Sequence, residues 1–491
     1  MGVVKKFSGE VVVYGVGNAL KKFIGFFLLP FYTRALSPSE WGVIDTLSSA
    51  VIILSVLLGF KAVDAGSRYY YEAKDEKEKG TVLFTVLVLS LFSFLPSLLL
   101  AFFSKFFSEV LFKSGLYTQA VCISCLTLPF VLLNDEQGWI YRYRSAPWRF
   151  NAFVLLKSLL NVGLGILLVL QLKKGIVGAQ LATLLSSAMV IMYSYLSFSR
   201  KFYHYHFSWY WAKKMFRFGF PLMLSGMLVW IYSFADRFFI LSYKTSAEVG
   251  YYSIGSTFAQ PLSLLNMAIG MSFYPFFMSL YEADRDENKS HAGKTSDVLW
   301  QYYLVVGFSL VVFLSLFAKE IVQVVATRKF VNGIVVIPFL VFSGIFRQSA
   351  DMTSLGIFIK EKTKYYFYIV LGISCLSLLL NFLLVKKYGY VGAALVNMIS
   401  NFMYFLIAHL ISQRLFYVKR NYVVILLYFI PVFVFSVGIP LLEILYGKHI
   451  GLMIKIFMAV FLWLLPLLLG LVSVNQIKNV IQQIKKCNSA D

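Results

Sequence analysis

The chain has 491 residues, 59% of them hydrophobic and 18% aromatic, against only 14% charged. A water-soluble protein of this size cannot hide so much apolar surface, so the composition excludes the soluble classes and leaves a polytopic membrane protein. The formal net charge of +22 would point to nucleic acid in a soluble chain, but here membrane topology absorbs most of it and no nucleic-acid partner is expected.

Apolar runs of about 20 residues, the length that crosses a bilayer as helix, number fourteen. They cover 11–33, 41–63, 81–103, 117–140, 150–170, 175–198, 218–241, 250–280, 298–318, 334–358, 365–385, 389–412, 422–442 and 450–474. The first is too long for a cleavable signal peptide and flows into further spans. An even count puts both termini on one side. Loops on that side hold roughly twice the lysines and arginines of the opposite loops, which places both termini in the cytoplasm. Polar excursions at 64–80, 199–217 and 281–297 are all short, and none offers room for an extramembrane active site. The run SRKFYHYHFSWYWAKKMFRF (199–218) interleaves basic and aromatic residues, as a helix lying in the membrane interface does.

Two pairs of segments repeat. GIVGAQLATLLSS (175–187) matches GYVGAALVNMISN (389–401) without a gap, and SPSEWGVIDTLSS (37–49) resembles TSAEVGYYSIGST (245–257). Each opens a span, so spans 1–6 and 7–12 read as related halves of the same orientation. The expected fold is all-α integral membrane, with two parallel six-helix lobes and two further helices. An N-lobe would cover 1–217, a C-lobe 218–416, and the last two helices with a cytoplasmic tail 417–491. Such halves rock against one another in transporters.

The charges inside spans carry the functional reading. A lysine at mid-helix costs roughly 2.5–3.5 kcal/mol, and each Leu, Ile, Phe or Val returns about 0.3–0.6 kcal/mol. Span 1 holds both Lys21 and Lys22. Facing lipid, the pair would leave that helix near break-even. Tyr14, Asn18, Lys21, Gly25 and Tyr32 recur on one helical face, and Asp45, Ser48, Ser49, Ser55 and Gly59 form a matching stripe in span 2. Two polar stripes suggest a shared aqueous cavity, with Lys21, Lys22 and Asn18 as substrate-binding candidates. Pairing with a carboxylate such as Asp135 is the structural alternative.

Lys157, Arg237 and Arg347 join the binding candidates. Arg237 adjoins Asp236, so a structural ion pair stands equally open; Arg347 and Asp351 are four apart, which favours a mutual bridge. Asp45, Asp135, Glu136, Asp236 and Asp351 are candidates for ion coupling, and Asp135 and Glu136 are also readable as counter-ions. Lys61 and Lys455, near span ends, are expected to snorkel to the interface. Basic groups exceed acidic ones within the spans, and a cavity of that sign attracts phosphate or acidic sugar rather than a cationic drug.

No phosphate loop, zinc-ligand spacing or nucleophile elbow occurs, so neither enzyme activity nor a cofactor or metal is expected. Cys122 and Cys125 lie in an apolar helix and His204 and His206 in the aromatic segment, and all four read as packing.

FIGFFLLPFYTRALSPSEWGVIDTLSS, GFPLMLSGMLVWIYSFADRFFIL with VGYYSIGSTFA, and FAKEIVQVVATRKFVNGIVVIPFLVFS resemble the bacterial polysaccharide-biosynthesis flippases. These are the Wzx-type exporters of O-antigen or capsule repeat units, in the MOP superfamily. The resemblance implies a MATE-like fold working by alternating access. It implies a substrate of oligosaccharide linked by pyrophosphate to undecaprenol, moved to the outer leaflet, with membrane lipids and other polysaccharide-assembly membrane proteins as partners. The Asp236–Arg237 pair matches the family; the lysines of span 1 stand on the physical argument alone. The competing readings are a peptidoglycan-precursor flippase, a MATE-type multidrug exporter, and an integral-membrane glycan polymerase or ligase.

Overall fold

The computed structural model describes residues 2–287, 291–362, 364–446 and 450–471, with side chains for all of these except 2–14, 16, 18, 283–287 and 291. Every regular element among the described residues is helical. Backbone N–H and C=O groups in hydrocarbon must find partners inside the protein, and over apolar runs of about 20 residues the helix supplies them within its own segment.

The chain divides into two compact units, 1–250 and 251–491. The first holds α1 (Gly2–Ala35), α2 (Pro38–Gly59), α3 (Ala62–Glu72), α4 (Glu76–Phe92), α5 (Phe94–Phe102), α6 (Ser104–Phe112), α7 (Thr118–Tyr143), α8 (Pro147–Gly165), α9 (Gly175–Ser197) and α10 (Trp209–Tyr243). Helix α11 (Ser246–Phe258) starts in the first unit and ends in the second. The second continues with α12 (Gln260–Glu287), α13 (His291–Leu316), α14 (Ala318–Val325), α15 (Val336–Thr353), α16 (Leu355–Ile359), α17 (Lys364–Leu380), α18 (Lys386–Leu415), α19 (Tyr422–Leu445) and α20 (Leu452–Leu468).

Eleven helical stretches among the described residues are long and apolar enough to cross a membrane, so this is a multi-pass membrane protein. Helix occupies each of the fourteen expected runs, yet the count of spans differs for identifiable reasons. Residues 364–415 form one stretch of 52 residues, α20 is only 17 residues long, and α1 stands outside the eleven. Local chemistry sets the helix starts. Ser37 and Glu40 close a capping box at α2, the Ser37 N–H donating to Glu40 Oε2 at 2.8 Å, with Pro38 at the first helical position.

Segments 175–187 and 389–401 share local structure within their own units. Each is preceded by a π-helical turn, at Ile166–Gln171 and at Asn381–Val385. The first residue of each repeat, Gly175 and Gly389, has positive φ, +51° and +57°, a conformation that glycine adopts without strain. Three residues on, a Cβ added to Gly178 would meet the Leu168 carbonyl oxygen, and one added to Gly392 would meet that of Leu384. Both carbonyls belong to the π-turns. The same device, a widened turn followed by close backbone packing, was therefore built twice. It also explains why 365–385 and 389–412 run together: the Gly389 kink bends the helix without ending it.

Gly392→Ala is expected to lower the thermal midpoint of the purified protein, because the new methyl meets fixed backbone, an overpacking that costs about 1–3 kcal/mol. Gly372→Ala, where nothing lies within 4 Å, should leave the midpoint unchanged or slightly raised. Fluorescence-detected size exclusion after a heat series reads both.

Candidate functional site

The first unit contains a charged pocket assembled from the ends and faces of several helices. Between α2 and α3 the chain turns through Phe60 and Lys61, both left-handed with φ of 45° and 53°, and Lys61 caps the start of α3. This sharp turn directs the Lys61 ammonium onto Asp64, Nζ to Oδ2 2.8 Å. Lys61 and Asp64 line a cavity of about 100 Å³ together with Ser55, Gly59, Asp135 and Trp139. Asp135, on α7, is solvent-accessible. It interacts electrostatically with Lys157 of α8, Asp64, Lys61 and Lys21 of α1, and Lys157 interacts in turn with Lys21. Among the described residues neither Lys21, Lys157 nor Asp135 closes a direct ion pair. Three lysines thus act electrostatically on one carboxylate without a direct ion pair to it. Lys21 is exposed and Lys22 half-buried beside it. The side chain of Asn18 lies outside the described residues.

Glu136 faces the opposite way from its neighbour, since consecutive helical residues diverge by about 100°. It is buried, and its Oε1 accepts a hydrogen bond from the Tyr203 phenol at 2.8 Å. Gln137 Nε2 donates to the same phenol at 3.0 Å, and Ser194 joins Gln137 to Tyr141. Burial and the adjacent carboxylate hold the Tyr203 phenol well above its ordinary range, so it stays a donor. The aromatic segment is accordingly not the single interfacial helix expected from its composition. Only Ser199–Phe202 forms a short helical turn, 203–208 has no regular structure, and α10 begins at Trp209. The reason is that Tyr203 is drawn inward to meet Glu136, which a continuous surface helix would prevent.

Arg237 is buried in an ion cluster. Its Nε donates to Asp45 Oδ2 at 3.0 Å and Nη1 to Asp236 Oδ1 at 2.8 Å, with the Ser233 carbonyl at 3.3 Å. Asp45 comes from α2, so the cluster fastens α10 to α2. Trp230 Nε1 reinforces the join by donating to the Ser49 carbonyl at 2.9 Å. Three of the candidate charges, Asp45, Asp236 and Arg237, are therefore gathered at one place and satisfied by one another.

The second unit holds Arg347 and Asp351 on α15. The Arg347 guanidinium lies over the Tyr404 ring at 4.7 Å, and the Tyr404 phenol donates to Asp351 Oδ1 at 3.5 Å. Asp351 also interacts electrostatically with Arg347. Beside them an apolar cavity of about 440 Å³ is lined by Leu265, Ile269, Phe273, Phe276, Tyr303 and Met352.

Lys455 corrects an expectation. Rather than snorkelling to the interface, it is fully buried, with Nζ 2.7 Å from Glu320 Oε1 and 2.9 Å from Glu443 Oε1. The two carboxylates lie on α14 and α19, too distant in sequence to announce themselves as partners. Lys61 likewise lines a pocket and pairs with Asp64; its i,i+3 spacing was the one signal available. Among the described residues, no three His, Cys, Asp or Glu side chains converge as a metal site.

Eleven apolar helical stretches define a multi-pass membrane protein. The solved structures agree on that fold. The chain superposes on the lipid II flippase MurJ in an inward closed conformation with a TM-score of 0.70 at 16% identity, covering 92% of this chain and 97% of that one. An inward-facing multidrug-resistance MATE transporter of the MOP superfamily gives 0.62 at 17% identity, covering 80% and 94%. At these identities the likeness shows the fold alone. Residues 31–335 match the family described as "Polysaccharide biosynthesis protein", and the chain belongs to that family. Among curated proteins, "Lsg locus putative protein 1" of Haemophilus influenzae is 23% identical over 282 residues, 56% of this chain and 66% of the relative's length. An uncharacterized membrane protein of the same organism is 24% identical over 269 residues, 54% of this chain and 63% of the other. The chain thus spans somewhat under two thirds of these relatives' length.

Removing the cation from a closed ion site leaves buried carboxylates uncompensated, which costs about 3–5 kcal/mol. Lys455→Met and Arg237→Gln are each expected to cut membrane abundance and thermal midpoint sharply. Lys157→Met, at a lysine that closes no ion pair among the described residues, should leave both near wild type. Quantitative immunoblotting of membranes checks the contrast.

Proposed function

We propose that this protein is a flippase for lipid-linked oligosaccharide. It moves undecaprenyl-pyrophosphate-linked repeat units of O-antigen or capsule type from the cytoplasmic to the outer leaflet of the bacterial inner membrane, by alternating access. Family membership supports a role in polysaccharide biosynthesis, and the fold is one on which lipid II flipping and drug export are both built.

The observation that carries the reading is the open cluster of the first unit. Lys21, Lys61 and Lys157 against Asp64 and Asp135 leave an excess of positive charge. An excess cation at bilayer depth is tolerable only beside water or an anion. A pyrophosphate supplies that anion, and lysine serves it as a compact point charge. Asp135 holds the ammonium groups near one another between transport events, and the phosphate displaces it as their partner. Lys22, adjacent to Lys21, adds to the positive potential of the cluster. The MATE-type alternative fits less well, because a drug cation would meet repulsion from the same lysines.

The test is complementation of a flippase-deleted host, with surface glycan scored by gel. Lys21→Ala with Lys22→Ala is expected to lose most glycan export at normal protein abundance, and Lys157→Met to reduce it several-fold. Full restoration by the double variant would sink the proposal.

A further inference from the structure

At the end of the first unit where α7 turns into α8, cations collect on two aromatic rings. Phe198 and Phe202 lie 5.0 Å apart. The Arg149 guanidinium stands 4.7 Å from the Phe198 centroid, and the Lys201 ammonium 5.3 Å from Phe198 and 5.1 Å from Phe202. Arg144 covers Phe202 at 4.2 Å. Of the three, Arg144 is bridged to Glu76 at 2.7 Å. Arg149 and Lys201 are exposed and, among the described residues, have no carboxylate within ion-pair distance. Rings present a negative face to a cation, so they fix where these side chains sit without cancelling their charge. The result is a preorganised group of three cations with a single acid.

The depth of the group in the membrane is marked by its neighbours. Trp148, next to Arg149 in the chain, and Tyr205, whose phenol donates to the Arg200 carbonyl at 3.4 Å, are both exposed beside it. Amphipathic rings of this kind settle at headgroup level, which puts the cations at the depth of lipid phosphates. Two unneutralised positive charges there complement a phosphodiester, and the exposed rings complement the first carbons of its acyl chains.

We propose that Arg149 and Lys201, held on Phe198 and Phe202, form a binding site for the headgroup of an anionic membrane phospholipid. This lipid is a resident of the protein's surface rather than its cargo. The site stands apart from the lysine pocket and does not depend on what the protein transports.

The test uses the full chain, purified in neutral detergent and offered equal amounts of phosphatidylglycerol and phosphatidylcholine with identical acyl chains. Native mass spectrometry counts the lipids retained. The wild type is expected to retain phosphatidylglycerol several-fold over phosphatidylcholine. Arg149→Gln with Lys201→Gln should lose most of that preference, while the charge-keeping pair Arg149→Lys with Lys201→Arg preserves it and certifies the fold. Lys105→Gln with Lys113→Gln, an equal loss of charge elsewhere, should retain it. An unchanged preference in the first variant overturns the assignment. So does an equal loss in the Lys105 and Lys113 variant, which would mean general charge attraction. Displacement of the lipid by an acidic peptide at lower concentration would overturn it too, in favour of a protein partner.

Discussion

An ionisable side chain at bilayer depth must be paired with an opposite charge, reach the interface, or border water. This chain has many such groups, and the way each is satisfied sorts them into closed clusters and charges left without a direct ion pair. Arg237 with Asp45 and Asp236, and Lys455 with Glu320 and Glu443, are closed clusters with contacts of 2.7–3.0 Å. Closed clusters add little net stability over an apolar core, but breaking one partner is severe. They act as fasteners, joining α10 to α2 in one case and α14, α19 and α20 in the other. Lys21, Lys157 and Asp135 are different, because they interact across a space without closing it. An unclosed charge is free to take a ligand.

The neighbouring acids of α7 show how finely this sorting is made. Asp135 reaches the pocket, whereas Glu136 is buried against Tyr203. Adjacent letters of one chemical type thus belong to different environments, separated by one step of a helix. The Glu136 contact also decides the course of residues 199–208, pulling an aromatic segment inward that its composition would leave on the surface. Packing in this region is completed by Tyr69, Tyr141, Phe150 and Trp211, so the buried hydrogen bonds sit within a dense apolar shell. Unpaired polar groups are expensive there; Tyr203 and Gln137 satisfy Glu136 Oε1 and the phenol, while Glu136 Oε2 stays buried without a hydrogen bond.

The repeat gives the fold its economy. Gly175 and Gly389 open equivalent helices with left-handed backbone, each after a π-helical turn whose carbonyl is approached by a second glycine. A widened turn leaves a carbonyl displaced from the regular ladder, and only a residue without Cβ lets the next helix pack against it. The gapless sequence match between the two segments is therefore the record of one backbone geometry used twice.

Much of this protein was legible in its letters. Hydropathy alone fixed an all-helical membrane protein, because no other structure satisfies its own backbone in lipid over runs of that length. The glycine-led repeat was readable for the same local reason: backbone geometry limited to a few residues leaves a contiguous signature. What only the tertiary structure decided was which charge meets which. Lys455 finds Glu320 from 135 positions away, Arg237 finds Asp45 from 192, and Lys157 interacts electrostatically with Lys21 and Asp135 instead of closing a pair. Coulomb attraction acts through space and carries no sequence spacing, so the division between fastened charges and open ones appears only once the helices are packed.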